Sequence, residues 1–242
     1  KWGTGIDSID RESASRRGIA VKNTPNAFTD AVADLAIGFI LAFARQIPWA
    51  NEDIRAGIWK KRPGVSLGES TIGILGLGNI GRAVAKRAIA FGMRVLGYDV
   101  MELPAELISG TGVEICSFNA VLREADFITL HCDLNPGSKY LIGDAQFDLM
   151  KPNVVVVNTA RGPLIEEAAL IRALQNKKIA GAALDVFEQE PLPKDSPLRE
   201  FSNVLFSPHN ANSSPSAWKR VHETTIHNLI TELKKHEHTA ST

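Results

Sequence analysis

Three polar residues, each following a separate apolar run, together have the composition of an acid–base site. Arg161, Glu190 and His209 stand shortly after runs that are typical of buried strands. In open α/β sheets, ligands bind outside the carboxyl ends of the strands, so we expect these side chains to share one crevice. Singly, each has an ordinary explanation: a surface arginine, a solvated acid or a turn histidine. Together, they provide a cation for a carboxylate, an imidazole for a proton and an acid to orient the imidazole, as hydride transfer on a hydroxy acid requires.

A glycine-rich motif predicts a site for a dinucleotide. Residues 76–81 read Gly-Leu-Gly-Asn-Ile-Gly, follow an apolar run and begin a helical pattern. In this context Gly76 permits a tight turn, Gly78 lets the backbone approach a pyrophosphate, and Gly81 lets the helix approach the sheet. Asp99, which ends the next run, is placed to accept hydrogen bonds from ribose hydroxyls, which favours NAD over NADP. The alternative is a Rossmann-like domain without a cofactor.

Short apolar runs alternate with helical patterns along most of the chain, which predicts an α/β protein with a doubly wound parallel sheet. We expect strands at residues 19–21, 71–75, 94–98, 113–116, 127–131, 154–157, 180–186 and 204–206. We expect helices at residues 32–43, 49–59, 80–91, 118–124, 144–150, 166–175 and 214–235. Trp49 and Trp59 are predicted on the buried side of the second helix, and residues 236–242 are expected to form a frayed tail.

Composition and charge exclude several classes of protein. The 242 residues include 27 Lys+Arg and 27 Asp+Glu, so no net charge draws the chain to nucleic acid or an anionic membrane. The longest apolar stretch, residues 35–44, is shorter than the ~20 residues that span a bilayer. The spacing of Cys and His predicts no metal site. Two cysteines, Cys116 and Cys132, favour a reducing compartment, the cytoplasm. The sequence therefore predicts a small-molecule partner and neither nucleic acid nor membrane.

The motifs together resemble those of the NAD-dependent, D-isomer-specific 2-hydroxyacid dehydrogenases. The segments that carry the resemblance are residues 3–10, 23–26, 44–48, 73–81, 158–162, 181–191 and 207–209. Within this family the likeness is greatest to the members that oxidise D-3-phosphoglycerate, which implies a role in serine biosynthesis. One alternative is a member that reduces hydroxypyruvate, glyoxylate or another 2-keto acid. Another is a dinucleotide-sensing binding protein, similar to the transcriptional corepressors that share this fold.

The resemblance implies roles for individual residues. His209 would be the acid–base group, Glu190 its paired carboxylate, and Arg161 the group that binds the substrate carboxylate and carbonyl oxygen. The substrate-binding residues that it implies are Lys1, Thr4, Gly5 and Arg161. The residues that it implies for the NAD site are Thr24, Gly76, Gly78, Asn79, Ile80, Gly81, Asp99, Cys132, Thr159, Ala160 and Asp185. Cys132 has the alternative of a buried structural cysteine, and His131 is expected to be a strand-end histidine with satisfied hydrogen bonds.

The resemblance also implies a division of the chain. Residues 26–212 would form a complete NAD-binding Rossmann domain. Residues 1–25 would be a remnant of the substrate domain, and residues 213–242 a C-terminal helix that returns to that domain, plus a tail. The chain begins at Lys1 rather than Met, and ~50 or more residues of the family's substrate domain are missing, so we expect that domain to be incomplete. A chain truncated in this way is expected to bind NAD and to turn over poorly.

A homodimer is expected from apolar surface near the start of the chain. The helix at residues 29–45 and its successor, with Trp49 and Trp59, carry more apolar residues than a simple cover of the sheet needs. The alternative is that this stripe only closes the nucleotide domain.

Overall fold

A parallel sheet with helices on both faces forms the larger part of the protein. The computed structural model describes residues 1–104, 106 and 109–240. The strands of this part are β1 (Thr71–Leu75), β2 (Arg94–Tyr98), β3 (Val113–Ile115), β4 (Phe127–Leu130), β5 (Val155–Asn158), β6 (Gly181–Leu184) and β7 (Val204–Phe206). They form one sheet in the order β3-β2-β1-β4-β5-β6-β7, and every pair is parallel. The predicted doubly wound Rossmann sheet is confirmed.

Helices cover both faces of the sheet because the central strands bury side chains on both sides. The described helices are α1 (Arg11–Arg16), α2 (Thr29–Ala44), α3 (Ile47–Arg55), α4 (Asn79–Ala90), α5 (Phe118–Glu124), α6 (Asp144–Phe147), α7 (Glu167–Gln175) and α8 (Pro215–Ala240). Short 3₁₀ turns occupy Leu67–Glu69, Gly162–Leu164 and Pro197–Glu200. One buried cluster joins α2 and α4 to the sheet, and a second joins α5, α6 and α7 to it. Strands β4, β5 and β6 have four residues each, and every one of these residues is buried.

The strand order reverses between β1 and β4, which fixes where a ligand can bind. The chain leaves β1 to build β2 and β3 on one side, and then returns to place β4 on the other. The register pairs Leu75 with both Tyr98 and Leu130, so these three strands end level with one another. Gly76 donates its N–H to the Tyr98 carbonyl, and His131 donates its N–H to the Leu75 carbonyl. The crevice outside these strand ends is the expected position for a dinucleotide.

The N-terminal segment packs against α8. The ring of Trp2 lies 5.4 Å from that of Phe28 and 5.9 Å from that of His222. The Asn228 amide donates to the Asn23 carbonyl at 2.9 Å. A small buried cluster, Ala27, Phe28, Val32, Ala211, Ala217 and Val221, joins this region to the start of α2. These contacts agree with the expected grouping of the first residues with the C-terminal helix, and the domain boundaries stay a prediction.

Two predictions about the first sixty residues are wrong. Residues 19–21 form no strand within the described part of the chain, and Ile19 is 57% exposed. Such a short apolar run has no neighbouring strand to pair with there. The helix after α2 ends at Arg55, so Trp59 lies beyond it and is 91% exposed instead of buried. Trp49 is half-buried as predicted, with its ring 5.0 Å from that of Phe43.

The last helix is longer than expected. It continues to Ala240, so the predicted fraying from residue 236 is wrong for residues 236–240. The end of the predicted tail, residues 241 and 242, lies outside the described residues.

One pair of helices has, by length and composition alone, the properties of a membrane-spanning segment. No single helix of the described residues is long and apolar enough to cross a bilayer. Helices α2 and α3, with a bend of 57° at their junction, are long and apolar enough only when they are taken together. Eight of the α2 residues are buried in this structure, among them Ile37, Phe39 and Ile40 against the sheet.

Candidate active site

The loops that follow β5, β6 and β7 lie side by side at one edge of the sheet. The Asp185 N–H donates to the carbonyl of Asn158, and the Ser207 N–H donates to that of Leu184, so the ladder continues past the strands. Gly162 fits so closely against the backbone of Phe187 that any side chain at residue 162 would collide with it. Because Arg161, Glu190 and His209 belong to these three loops, all three reach the same edge of the sheet.

Glu190 and His209 are in direct contact. The imidazole Nδ1 lies 2.7 Å from the Glu190 Oε2, and the Glu190 Oε1 accepts the N–H of Phe187 at 3.1 Å. The carboxylate is thus held by the backbone while it accepts the Nδ1 proton. Nε2 is then the ring atom available to exchange a proton with a ligand, and among the described residues it has no hydrogen-bond partner. Both side chains remain accessible, with exposures of 44% for His209 and 36% for Glu190.

Asp185 builds the loop that carries His209. The residue is fully buried, and its carboxylate oxygens accept the N–H groups of Asn210 at 2.8 Å and Ala211 at 3.0 Å. Its carbonyl accepts the N–H of His209 at 2.7 Å. These three bonds hold His209 in the left-handed region, with φ of 51°. The Asp185 carboxylate thus holds this loop through the backbone, and its predicted contact with NAD stays a prediction.

Arg161 meets the N-terminal segment of the chain. Its Nε donates to Asp7 Oδ1 at 3.2 Å, and its Nη1 donates to its neighbour's carbonyl, that of Ala160, at 2.7 Å. Gly5 lies against the same guanidinium, and a side chain at this position would collide with Nη2. The structure thus brings together two predicted substrate-binding residues, Arg161 and Gly5. Thr4 lies beside them and donates its hydroxyl to the carbonyl of Thr24 at 3.2 Å.

Lys1, the third substrate-binding residue predicted from the N-terminal segment, is exposed. Its ammonium donates to the Ser8 hydroxyl at 3.1 Å, and its backbone nitrogen donates to the Lys22 carbonyl at 2.8 Å. Its predicted contact with a substrate phosphate stays a prediction.

The glycine motif has the geometry that a pyrophosphate needs. Gly76 has φ of 94° and lies against the backbone of Cys132, where a Cβ would come within 2.7 Å of the Cys132 N. Gly81 lies directly on the carbonyl oxygen of Gly76, which leaves no room for a side chain. Gly78, in contrast, faces open space among the described residues. It is also the N-cap of α4, so the free N–H groups of the first turn of that helix border the space.

Asp99 directly follows β2 and lies beside this motif. Its Oδ2 accepts the N–H of Leu77 at 2.7 Å, and its Oδ1 accepts the N–H of Met101 at 3.0 Å. Each carboxylate oxygen can accept a further hydrogen bond, so ribose hydroxyls remain possible partners. Asn79 and Ile80 stand in the first turn of α4.

Other predicted NAD residues differ in how they are used. Thr159 is buried, and among the described residues its hydroxyl has no hydrogen-bond partner, as expected of a group that awaits a ligand. Ala160 follows it and is half-buried. Thr24 is fully buried and its hydroxyl accepts the N–H of Gly3 at 3.0 Å, and its predicted contact with NAD stays a prediction. Burial raises the pKa of the Cys132 thiol to about 11, which supports a structural cysteine.

The residues present therefore fit NAD on two independent observations. The first turn of α4, capped by Gly78, presents free N–H groups to open space, and the buried Thr159 hydroxyl lacks a hydrogen-bond partner within the described chain. Glycine loop, helix N-terminus and Asp99 suit pyrophosphate and ribose, so the donor set has the chemistry of a dinucleotide site.

An apolar cavity of about 560 Å³ adjoins the histidine–glutamate pair. Aromatic rings and proline residues form most of its wall, and Arg199 stands at its side. Its lining residues are Phe187, Glu190, Pro191, Leu192, Arg199, Phe206, Ser207, Pro208 and His209.

Sequence reasoning missed two residues that hold the site together. Arg82 donates to the Leu77 carbonyl and to the Asn79 side chain, both at 2.8 Å, and so braces the glycine motif. Its position directly after Gly81, the last glycine of the motif, is the sequence feature that could have identified it. Asp7 contacts Arg161 across 154 residues of sequence, and its only sequence signal is its place in the segment of residues 3–10.

His131 is only partly satisfied, although the sequence predicts a fully satisfied strand-end histidine. Its Nε2 lies 2.9 Å from the Thr129 hydroxyl. Its buried Nδ1 has no hydrogen-bond partner within the described residues. Burial lowers the pKa of His131 to about 3, so the ring is neutral at physiological pH.

Comparison with known proteins also identifies an NAD-binding domain in this chain. Residues 37–211 match the family model of the D-isomer specific 2-hydroxyacid dehydrogenase, NAD binding domain. The chain is 47% identical to a D-3-phosphoglycerate dehydrogenase of Methanocaldococcus jannaschii, over 90% of this chain and 42% of the relative. It is 41% identical to a glyoxylate reductase of Thermococcus litoralis, over 97% of this chain and 73% of the relative. The chain thus spans less than half the length of the first relative.

A solved structure agrees with these sequence matches. The D-lactate dehydrogenase of Aquifex aeolicus, complexed with NAD and lactic acid, superposes with a TM-score of 0.90 at 29% identity. The match covers 97% of this chain and 75% of that one. Since the family model covers more than half of the chain and the relatives agree with it, the chain belongs to the NAD-dependent D-isomer specific 2-hydroxyacid dehydrogenase family.

Proposed function

We propose that this chain carries the NAD-binding domain and the proton-transfer residues of an enzyme that moves a hydride between NAD and a D-2-hydroxy acid. The observation that carries the proposal is the 2.7 Å contact between His209 Nδ1 and Glu190 Oε2, at the same sheet edge as the glycine motif. A histidine oriented by a carboxylate is the usual general acid–base group at neutral pH.

Each group has a defined part in this reaction. Bound NAD supplies the acceptor for the hydride that leaves C2 of the hydroxy acid. His209 takes the hydroxyl proton at Nε2, so that loss of hydride and proton leaves a 2-keto acid. Glu190 stabilises the resulting imidazolium through Nδ1. Arg161 binds the substrate carboxylate by charge-assisted hydrogen bonds and so places C2 near His209.

For the substrate, we favour D-3-phosphoglycerate. The 47% identity to a D-3-phosphoglycerate dehydrogenase supports this choice, as does a cation at Lys1 that is suited to meet a phosphate as a point charge. The 41% identity to a glyoxylate reductase, over a larger share of that relative, supports glyoxylate or hydroxypyruvate as the alternative.

The reaction is tested by replacing His209. In the full-length protein, His209→Ala is expected to lower turnover of a 2-keto acid by ~10²–10⁴-fold, because the general acid is lost. Oxidation of NADH, followed by absorbance, measures this turnover. NADH binding, measured by calorimetry, should stay near the wild-type value. His227→Ala, an exposed histidine of α8, is the matched control. Unchanged turnover in His209→Ala would contradict the proposal.

The substrate is tested separately with a panel of acids. The wild-type protein is assayed with 3-phosphohydroxypyruvate, hydroxypyruvate, glyoxylate and pyruvate, and the ratios of kcat/KM are compared. A preference for the phosphorylated acid that falls in Lys1→Ala supports the first substrate. A preference for glyoxylate that is indifferent to Lys1→Ala supports the alternative.

A further inference from the structure

Arg161 has a partner that the reaction described above does not use. The carboxylate of Asp7 lies 3.2 Å from the Arg161 Nε. Both side chains are about two-thirds buried, with exposures of 34% for Asp7 and 31% for Arg161. An ion pair exposed to this degree contributes little stability by itself, so its geometry depends on the other contacts that hold the two side chains.

Two of the five guanidinium N–H groups of Arg161 are used by acceptors among the described residues. Asp7 takes the Nε proton, and the Ala160 carbonyl takes one Nη1 proton at 2.7 Å. Among the described residues, Nη2 has no hydrogen-bond acceptor. Since a guanidinium is planar, these two bonds fix its plane; the remaining N–H groups, on Nη1 and Nη2, have no acceptor among the described residues, and Gly5 packs against Nη2.

The segment that carries Asp7 is itself fixed. The Gly3 and Thr24 backbones are joined by a hydrogen bond from the Thr24 N–H to the Gly3 carbonyl at 3.0 Å. A turn from Ile6 to Ile9 encloses Asp7, with the Ile9 N–H donating to the Ile6 carbonyl at 3.0 Å. A Cβ at Gly5 would come within 2.8 Å of the Asp7 Oδ1, so only glycine leaves both charged groups in place.

We propose that Asp7 is a positioning residue that sets the orientation of the Arg161 guanidinium and thereby the affinity for the substrate carboxylate. This inference rests on the proposed function, because it assumes that Arg161 binds that carboxylate. It also gives the N-terminal segment a part in the site: the segment supplies the contact that orients an arginine of the NAD-binding domain.

The opposite effect of Asp7 would give a different experimental result. If its negative charge mainly competes with the substrate carboxylate for Arg161, removal of the charge strengthens substrate binding. If it orients the guanidinium, an uncharged acceptor of the same shape preserves most of the binding, and loss of the acceptor weakens it. Asp7→Asn and Asp7→Ala separate these cases.

The test measures KM and kcat for the preferred 2-keto acid in full-length variants. Asp7→Ala is expected to raise KM for the keto acid about tenfold, the loss typical of one hydrogen bond to a charged group. The KM for NADH and the melting temperature should change little. Asp7→Asn should stay within about threefold of wild type, because its amide oxygen can accept from Nε. Asp10→Asn is the matched control, since Asp10 caps α1 at Ser13 and keeps an acceptor there.

The outcomes distinguish this inference from the proposed function. An unchanged KM in Asp7→Ala, a lowered KM in both variants, or equal damage by Asn and Ala overturns the positioning role. If Asp7→Ala does not fold, Asp7→Ser, whose hydroxyl is too short to reach Nε, replaces it.

A second readout does not depend on turnover. The Nε–Hε NMR signal of Arg161, assigned with Arg161→Lys, should be protected from exchange in wild type and in Asp7→Asn and lose protection in Asp7→Ala. If the wild type turns over no 2-keto acid, the proposed function fails, and this signal still decides whether Asp7 orients Arg161.

Discussion

Burial controls the charge of single residues at the strand ends. His131 is the clearest case, because its pKa is lowered to about 3 in the folded protein and is about 6.5 in an unfolded chain. Below pH 6.5 the unfolded chain therefore binds a proton that the folded protein does not, and the free energy of unfolding falls by about 1.4 kcal/mol per pH unit. The loss begins near pH 6.5 and continues down to about pH 3.

This pH dependence is measured by urea unfolding. Between pH 6.5 and pH 5, His131 is expected to cost the wild type roughly 2 kcal/mol of stability that His131→Asn does not lose. His227→Asn, a change at an exposed histidine of α8, should retain the wild-type loss. Equal pH profiles for wild type and His131→Asn would show that His131 is not held neutral by the fold.

The sequence predicts the proposed acid–base residues better than it predicts the residues that support them. Arg161, Glu190 and His209 could be found because each follows an apolar strand, and strand ends meet at one edge. Asp7 and Asp185 act through contacts with residues 154 and 25 positions away in the sequence. Nothing local in the sequence specifies such a contact, since it depends on how distant loops pack.

At the level of elements, the turn between β1 and α4 depends on how closely the helix approaches the strand. Gly81→Ala places a methyl group on the carbonyl oxygen of Gly76, so the start of α4 must move away from the sheet. We expect a loss of about 1–3 kcal/mol in stability, as for other overpacked sites, together with weaker NAD binding. Urea unfolding and calorimetry with NADH measure the two effects.

Gly38→Ala is the control for the change at Gly81. Gly38 lies in α2, and a Cβ there meets nothing within 4 Å among the described residues. Alanine is favoured over glycine within a helix by about 0.5–1 kcal/mol, so this variant should be slightly more stable than wild type. If the two substitutions have the same effect, the close approach at Gly81 does not limit the fold.

The strands were predictable because a parallel sheet that is covered on both faces has continuous apolar runs. β5, for example, lies in an uninterrupted row of valines and is buried throughout. Residues 19–21 are also an apolar run, but they form no strand. A strand needs a neighbouring strand to pair with, and the sequence pattern does not reveal whether one is present. The sequence pattern places the end of α3 too late for a related reason. Apolar residues continue past Arg55, but they face solvent instead of packing in a helix.

At the scale of the whole molecule, large apolar side chains are exposed along α8, and a second group of them is exposed around α3. The apolar residues exposed there are Ile47, Ile54, Ile58, Trp59 and Val65, with exposures from 46% to 91%. The expectation that α2 contributes is not supported, because α2 buries its apolar side chains within the chain itself. Large apolar side chains exposed in one region of a chain are typical of an interface between subunits. We propose that a second copy of the chain covers the region around α3, as a two-fold dimer.

Light scattering at several concentrations tests the dimer. We expect a mass twice that of the monomer, since an interface of about 800 Å² per partner is enough for stable association. Ile54→Lys places a charge in the proposed interface and should shift the protein to monomer. Ile115→Lys, at a similarly exposed isoleucine of the edge strand β3, should leave the dimer intact. A wild-type protein that stays monomeric at high concentration contradicts the proposal, and equal dissociation by both substitutions places the interface elsewhere.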